Sequence, residues 1–172
     1  MKMHPSISTN STSTPLMSSI FRRLLKELQD ICKAQSDEIL SLEPVNDEDL
    51  LRWHAVLRGP RETPYQGGLF RLRIDVPEEY PIKPPSLVFT TPVCHPNVHF
   101  ETGEICLDIL KSQWSPAWTL SSTCLAVHVL LANPEPSSPL NCDAANLLRC
   151  GDIVGYSSLV SMYTHTFADQ FQ

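Results

Sequence analysis

Residues 69–76 read LFRLRIDV, and this stretch decides the class of fold. From position 70 onward, apolar residues occupy the even positions and charged residues the odd ones, which is the period of a half-buried β-strand. Shorter strand-like runs lie at residues 39–42, 53–57 and 86–89. Because the links between these four runs are short, we expect the strands to pair as an antiparallel meander in one sheet.

The N-terminal part of the chain changes character near residue 16. Residues 1–15 are small, polar and Ser/Thr-rich without periodicity, so they predict a disordered extension ahead of one folded domain at residues 16–172. Within that domain, apolar residues recur at helical spacing over residues 21–31. This pattern predicts a first helix, with Ser18 or Ser19 as its N-cap.

Three more helices are predicted after the strands. Residues 120–131 are almost continuously apolar, which indicates a buried central helix, and residues 142–149 and 156–167 indicate two C-terminal helices. The order is an N-terminal helix, a four-stranded antiparallel meander, a long loop, a central helix and C-terminal helices. That order predicts an α+β fold built on a single sheet.

Composition excludes several classes of protein. The net charge of −6 argues against a nucleic-acid partner, because duplex binders are usually basic. No apolar run approaches the ~20 residues of a membrane span, so we expect no direct insertion into a membrane. The N-terminus also lacks an apolar signal core. We therefore expect a cytoplasmic protein whose six cysteines are free thiols.

The longest stretch without periodicity runs from residue 91 to residue 118, and loops of that length in a compact domain are usually functional. It contains Cys106 among polar residues. One interpretation is a structural thiol, since most cysteines are buried and unreactive. A second is a metal site with Cys94, His95 and His99, although adjacent ligands converge poorly on one ion and no close cysteine pair is present.

The third interpretation is a nucleophile. A cysteine thiolate attacks acyl carbons and leaves readily, so Cys106 can carry an acyl group as a thioester. A cysteine protease would need a base held by a third group; His95 is the candidate base, but Pro96 follows it and no protease motif surrounds the cysteine. A group carrier needs only an accessible thiol and a donor for the tetrahedral oxyanion. The Asn97 amide can be that donor, or it can brace the loop.

Several motifs, in order along the chain, resemble those of ubiquitin-conjugating enzymes. The resemblance runs from Ile20 to the C-terminus and implies the α+β ubiquitin-conjugating fold. It also implies an acyltransferase that accepts ubiquitin from an activating enzyme and transfers it with a RING-type ligase. No cofactor is implied, because the activating enzyme uses the ATP. The motifs are Gly59-Pro60, Thr63-Pro64-Tyr65-Gln66-Gly67-Gly68, Tyr80-Pro81-Ile82-Lys83-Pro84-Pro85, His95-Pro96-Asn97, Gly103-Glu104-Ile105-Cys106-Leu107-Asp108-Ile109-Leu110 and Ser112-Gln113-Trp114-Ser115-Pro116-Ala117.

The resemblance assigns catalytic roles residue by residue. Cys106 resembles the thioester cysteine, Asn97 the oxyanion-stabilising residue and His95 the histidine that shapes the loop. Asp108 resembles an acid near the active site, and Ser138 a residue that gates the approach of the attacking group. One residue more than is usual in the family separates Asn97 from Cys106.

It also assigns two partner surfaces on helices. Arg22, Arg23 and Lys26 resemble the first-helix face that docks on the activating enzyme, with a merely solvated basic face as the alternative. Leu125 and Val129 resemble the face that holds donor ubiquitin, with core packing as the alternative.

A third surface lies on two loops. Ile82 on one loop, and Ser115, Pro116 and Ala117 on the other, resemble the residues that meet a RING-type ligase. The alternative is that these side chains only cap the core.

Three segments are similar to the peroxisomal ubiquitin-conjugating enzymes of yeasts. They are the Ser/Thr-rich start, residues 138–140 and residues 147–152. This similarity implies an enzyme recruited to the cytosolic face of the peroxisomal membrane, where it ubiquitinates matrix-protein import receptors for recycling. A membrane-anchored peroxin would recruit it through the outer face of the sheet, near Ser41, Arg71 and Arg73.

The rival hypothesis is a binding module, an inactive variant that only presents ubiquitin or scaffolds a ligase. Such variants lack the cysteine, so the presence of Cys106 together with Asn97 argues against it.

Overall fold

Four antiparallel strands form the predicted meander, and their order across the sheet follows their order along the chain. The computed structural model describes residues 15–46 and 48–170. The strands are β1 (Ile39–Asn46), β2 (Asp49–Arg58), β3 (Gly68–Asp75) and β4 (Ser86–Phe89). The prediction of four antiparallel strands is confirmed, and β1 and β2 are longer than the apolar runs that predicted them.

The core lies on the inner face of this sheet. Phe70, Leu72 and Ile74 of β3 are each at most 1% exposed, while Arg71 and Arg73 face solvent, so the predicted alternation is confirmed. Against this face packs α2 (Leu120–Ala132), which contacts β1 and β2. α2 is buried on one side only, through Leu120, Thr123, Cys124, Val127, Leu130 and Leu131, although apolar residues also occupy its exposed side.

The first helix, α1, spans Pro15–Lys33, so the prediction that Ser18 or Ser19 caps its start is wrong. A proline is tolerated in a first helical turn because the N–H it lacks would have no partner there. The predicted disorder of residues 1–15 concerns mostly residues 1–14, which lie outside the described residues.

The other helix starts are capped by side chains. The Thr119 hydroxyl accepts from the Ser122 N–H at the start of α2, as a capping box requires. Asn141 caps α3 (Cys142–Arg149), and Asp152 caps α4 (Ile153–Phe167). The Asp152 cap explains why α4 begins three residues before the predicted position 156.

A short fifth strand, β5 (Asp169–Gln170), pairs with the start of β3 and was not predicted. Two residues at a chain end carry no periodicity, so the sequence gives no sign of it. Arg71 of β3 reinforces the pairing by donating to the Asp169 carboxylate at 2.7 Å. Among the described helices, none is both long and apolar enough to cross a membrane.

Candidate active site

The loop that carries the site rests on a buried histidine. His95 is 0% exposed, and its Nδ1 accepts the Asn97 main-chain N–H at 3.0 Å. Nδ1 therefore has no hydrogen, and Nε2–H donates to the Leu130 carbonyl of α2 at 3.0 Å. Burial lowers the pKa of His95 to about 4, so the ring is neutral at physiological pH. These contacts fit a residue that shapes the loop, and they leave no ring nitrogen free to act as a base.

Asn97 uses its whole side-chain amide to hold a second loop. Nδ2 donates to the carbonyls of Glu135 at 2.8 Å and Ser138 at 3.2 Å, while Oδ1 accepts the Glu135 N–H at 2.8 Å. Both amide hydrogens are thus directed at main-chain oxygens, and the residue is only 2% exposed. The geometry favours the loop-bracing interpretation of Asn97 over the predicted direct contact with an oxyanion.

Main-chain bonds complete the support. The Pro96 carbonyl accepts from the N–H groups of Leu140 and Asn141 at 2.8 and 3.0 Å, and the Asn97 carbonyl accepts from Cys106 N–H at 2.8 Å. The structure therefore brings Asn97, Cys106 and Ser138 together around one loop. The Ser138 side chain is exposed, and its gating role stays a prediction.

The longer connection between Asn97 and Cys106 forms a closed turn. His99 N–H donates to the Glu104 carbonyl at 2.8 Å, and Gly103 N–H donates to the His99 carbonyl at 2.9 Å. Gly103 has a φ of +71°, and a Cβ there would lie 2.0 Å from the Phe89 carbonyl oxygen. Only glycine fits this position, and it lets the turn pack closely on β4.

Cys106 is half-buried, and the Nζ of Lys111 lies 4.0 Å from its Sγ. A turn of 3₁₀ helix, Asp108–Leu110, separates the two residues, and Asp108 at its start is exposed. The thiol is therefore reachable from solvent, unlike Cys94 and Cys124, whose pKa values are raised by burial. Accessibility singles out Cys106 among the cysteines of the loop.

The metal interpretation of the loop does not fit this geometry. Both ring nitrogens of His95 are occupied, and Nδ1 of His99 accepts from the N–H groups of Glu101 and Thr102 at 3.3 Å. Within residues 15–46 and 48–170, no three His, Cys, Asp or Glu side chains are grouped so that they could hold an ion.

The two loops predicted to meet a ligase lie side by side. The Trp114 indole N–H donates to the Pro81 carbonyl at 2.9 Å, which joins the 80–83 turn to the 111–119 loop. Ile82 is 73% exposed, and Ser115, Pro116 and Ala117 are exposed as well. The alternative that these residues cap the core is therefore wrong for Ile82.

The predicted donor-ubiquitin face is an apolar groove on α2. Leu125 and Val129 are exposed, so the core-packing alternative is wrong for both. The groove also includes Trp118 and Leu107, the residue after Cys106. The apolar groove thus reaches the residue next to Cys106 in sequence.

The predicted basic face of α1 is only partly exposed. Arg22 and Lys26 face solvent, but Arg23 turns inward, donating to the Glu27 carboxylate and, at 2.8 Å, to the Trp118 carbonyl. The expectation that all three cations lie on one free face is therefore wrong for Arg23. Its side chain holds the 111–119 loop against α1.

A profile of the ubiquitin-conjugating enzyme family matches residues 23–164, which is most of the chain. The chain belongs to the ubiquitin-conjugating enzyme family. It is a transferase that works through a cysteine thioester, and the reaction involves ubiquitin, an activating enzyme and a ligase.

The relatives of this ubiquitin-conjugating enzyme include peroxins. Protein PEROXIN-4 of Arabidopsis thaliana is 52% identical over 147 residues, covering 85% of this chain and 93% of that protein. Ubiquitin-conjugating enzyme E2 16 of Schizosaccharomyces pombe is 51% identical over 152 residues, covering 88% and 95%. The crystal structure of H. polymorpha Pex4p in complex with the soluble domain of Pex22p has a TM-score of 0.82 at 42% identity, covering 87% of this chain and 98% of that one.

Two features of this ubiquitin-conjugating enzyme escaped the sequence analysis. Glu27 is 4% exposed and accepts from the Tyr80 hydroxyl at 2.6 Å and from Leu120 N–H at 2.8 Å, besides Arg23. Its position within the apolar stripe of α1 was the available signal. The second feature, the approach of Lys111 to Cys106, had no signal in the sequence.

The outer face of the sheet, the predicted site of a recruiting partner, is polar. Arg73 pairs with Asp75 at 3.0 Å, and Arg71 pairs with Asp169. Ser41 is half-buried at the edge of this face.

Proposed function

We propose that Cys106 accepts ubiquitin as a thioester from the activating enzyme and passes it to a substrate nucleophile with a RING-type ligase. The observation that carries the proposal is a solvent-reachable thiol on a loop fixed from below by the buried His95 and Asn97. A reactive atom held on a rigid support can meet two successive partners in the same geometry.

The reaction needs few catalytic side chains besides the thiol itself. In charging, the Cys106 thiolate attacks the thioester carbonyl, a new C–S bond forms, and the thiolate of the activating enzyme leaves. In discharge, an acceptor nucleophile attacks the same carbon and Cys106 leaves. We propose that Asn97 acts as a positioning residue by holding the 135–138 loop, with Ser138 and Asp108 beside the approach path. No cofactor of its own is proposed, since the activating enzyme uses the ATP.

We further propose that the exposed surfaces serve the three partners of this cycle. Arg22 and Lys26 would attract the activating enzyme, the groove containing Leu125 and Val129 would hold donor ubiquitin, and Ile82 with the 115–117 loop would meet the ligase. Exposed apolar side chains that the fold does not bury are typical of such contact sites.

The proposed setting is the cytosolic face of the peroxisomal membrane, with matrix-protein import receptors as substrates. Support comes from relatives named as peroxins and from the Pex4p structure that contains the soluble domain of Pex22p. A membrane-anchored peroxin would hold the enzyme there, since no described helix could cross a membrane.

Two surfaces are candidates for that anchor. The outer face of the sheet stays the predicted one, with Arg73 exposed at its centre. The start of α4 is the second, because Ile153 and Val154 are 57% and 78% exposed there. Interface cores are enriched in apolar side chains, which favours the α4 surface.

The chemical part is tested by charging the enzyme with activating enzyme, ubiquitin and ATP. Wild type should form an adduct that reductant removes, and Cys106→Ser should form an ester that reductant leaves intact. If Cys106→Ala forms as much adduct as wild type, the nucleophile is a residue other than Cys106.

The recruitment part is tested by membrane fractionation of cells that express tagged variants. Val154→Asp should release the enzyme from peroxisomal membranes if α4 is the docking surface, and Arg73→Glu should do so if the sheet is. Wild-type enzyme spread evenly through the cytosol would contradict the proposed setting.

A further inference from the structure

We propose that Glu27 is a positioning residue for the ligase-stimulated reaction: its buried carboxylate sets the relative position of the two loops that carry Ile82 and residues 115–117. The inference rests on the proposed role of these two loops in meeting a ligase. Glu27 would not touch the ligase itself and would act only through the loops that it holds.

The Glu27 carboxylate lies where α1 meets both loops. One oxygen, Oε1, accepts from the Tyr80 hydroxyl at 2.6 Å, and Tyr80 begins the 80–83 turn. The other oxygen, Oε2, accepts from the Leu120 N–H at 2.8 Å, directly after the 111–119 loop ends. One carboxylate therefore holds the end of one loop beside the end of the other.

Further contacts join the two loops to each other. Trp114 belongs to the 111–119 loop, and its ring packs against the Tyr80 ring with 6.0 Å between the centroids. The Trp114 indole N–H also donates to the Pro81 carbonyl at 2.9 Å. A shift of either loop would break these contacts, so Glu27 holds the two loops as one unit against α1.

The energetics also favour a positioning role. Removing a carboxylate from water costs free energy, which hydrogen bonds from Arg23, Tyr80 and Leu120 offset. Apolar side chains can often replace a buried ion pair without loss of stability, so filling the core does not require a carboxylate here. Directional hydrogen bonds to two other segments of the chain add what an apolar side chain would lack, a single position for each loop. Burial raises the pKa of Tyr80, so its hydroxyl keeps the hydrogen that it donates to Glu27.

The expected consequence concerns the affinity for the ligase. If the two loops could separate, part of the binding free energy would be used to bring them together. The loop that carries Cys106 rests on other residues, His95 and Asn97. Loosening the contacts of Glu27 should therefore weaken the response to a ligase and leave the thioester chemistry unchanged.

The test follows the discharge of preformed thioester to a free amine over a range of concentrations of a RING-type ligase that stimulates wild type. Tyr80→Phe removes one hydroxyl from the carboxylate and keeps the ring, whereas Glu27→Gln sets an amide N–H against one of the buried donors. Both variants should raise the ligase concentration that gives half-maximal discharge by about threefold or more. Their rates without ligase and at saturating ligase should match wild type.

Two further variants separate positioning from a general loss of stability. Val160→Ala removes core volume on α4, so it should lower the free energy of unfolding without changing the half-maximal ligase concentration. Ile82→Ala should weaken the response to the ligase by itself. Adding Tyr80→Phe to Ile82→Ala should then have a smaller effect than in wild type, because the turn no longer positions that side chain.

Three outcomes would overturn the inference. They are an unchanged half-maximal concentration in both Tyr80→Phe and Glu27→Gln, an equal rise in Val160→Ala, and a proportional loss of discharge without ligase. The full effect of Tyr80→Phe in the Ile82→Ala background would also contradict it. If Ile82→Ala itself responds to the ligase as wild type does, the proposed ligase surface is wrong, and the inference fails with it.

Discussion

Two sets of side chains depart from the usual pattern, in which polar residues are exposed and apolar residues are buried. Glu27, His95 and Asn97 are polar and almost fully buried, whereas Ile82 and Val129 are apolar and exposed. The buried polar side chains all bind main-chain atoms, of α2 for Glu27 and His95 and of the 135–138 loop for Asn97, whereas the apolar side chains of Ile82 and Val129 face solvent. The comparison indicates that the buried polar side chains hold the loops of this enzyme in place, whereas the exposed apolar side chains are available for contact with partners.

The largest expected effect comes from Asn97→Asp. A carboxylate in place of the amide would set an acceptor against the Glu135 and Ser138 carbonyls in a buried site. We expect the free energy of unfolding to fall by about 3 kcal/mol or more, measured by urea denaturation. Discharge should slow as well, because the 135–138 loop loses its support.

Ser138→Ala is the matched control, because this exposed side chain changes nothing inside. Its stability should stay within about 0.5 kcal/mol of wild type. An Asn97→Asp protein as stable as wild type would show that the bracing contacts carry little energy.

Arg23 and Arg22 form the next pair, two adjacent arginines with opposite environments. Arg23→Ala leaves the buried Glu27 carboxylate without a cationic partner, so we expect a loss of about 1–3 kcal/mol in thermal or chemical unfolding. Arg22→Ala should stay within about 0.5 kcal/mol, yet slow charging through a weaker association with the activating enzyme. Equal stability losses in the two variants would contradict the inward position of Arg23.

The pH dependence gives an effect that is small just below pH 6.5 and grows with further acidification. Burial lowers the pKa of His95 to about 4, so between pH 6.5 and that value the unfolded chain binds a proton that the folded chain does not. Stability should be constant above pH 6.5 with respect to this group, and should fall below it by up to about 1.4 kcal/mol per pH unit.

Nuclear magnetic resonance separates this histidine from the others. The half-buried His128 also has a pKa lowered by burial, so each ring must be followed on its own. The His95 signals should show hydrogen on Nε2 and should not titrate between pH 8 and pH 5. A midpoint near 6.5 for His95 would contradict its buried, hydrogen-bonded position.

The smallest effect on stability is expected at the exposed apolar groove. Val129→Asp places a charge where the fold buries nothing, so unfolding should change by no more than about 0.5 kcal/mol. Ligase-stimulated discharge should slow, because donor ubiquitin loses an apolar contact. If this variant discharges at the wild-type rate, the groove does not hold donor ubiquitin as proposed.

The fold class and the family could be predicted from the sequence. The features that could not be predicted were missed for physical reasons. Strict alternation in β3 and the continuous apolar run of α2 determined the fold class, since those patterns are local. Cys106 and its flanking motifs identified the family. The start of α1 was missed because Pro15 directly follows a Ser/Thr-rich stretch without helical periodicity. Strand β5 was missed because two residues are too few to show a period.

The contacts within the site were harder to predict. Whether Asn97 faces the thiol or the 135–138 loop depends on hydrogen bonds across 38 and 41 positions of sequence, which no local pattern contains. Arg23 and Arg22 are neighbours in sequence, and only the buried Glu27 shows which one turns inward.

The most direct test of the account measures charging and unfolding together in Cys106→Ala. Cys106 contributes chemistry while the buried groups contribute the fold, so the variant should form no adduct with ubiquitin. Its free energy of unfolding should stay within about 0.5 kcal/mol of wild type. A reductant-sensitive adduct at the wild-type level, formed on any of the remaining cysteines, would contradict the central claim.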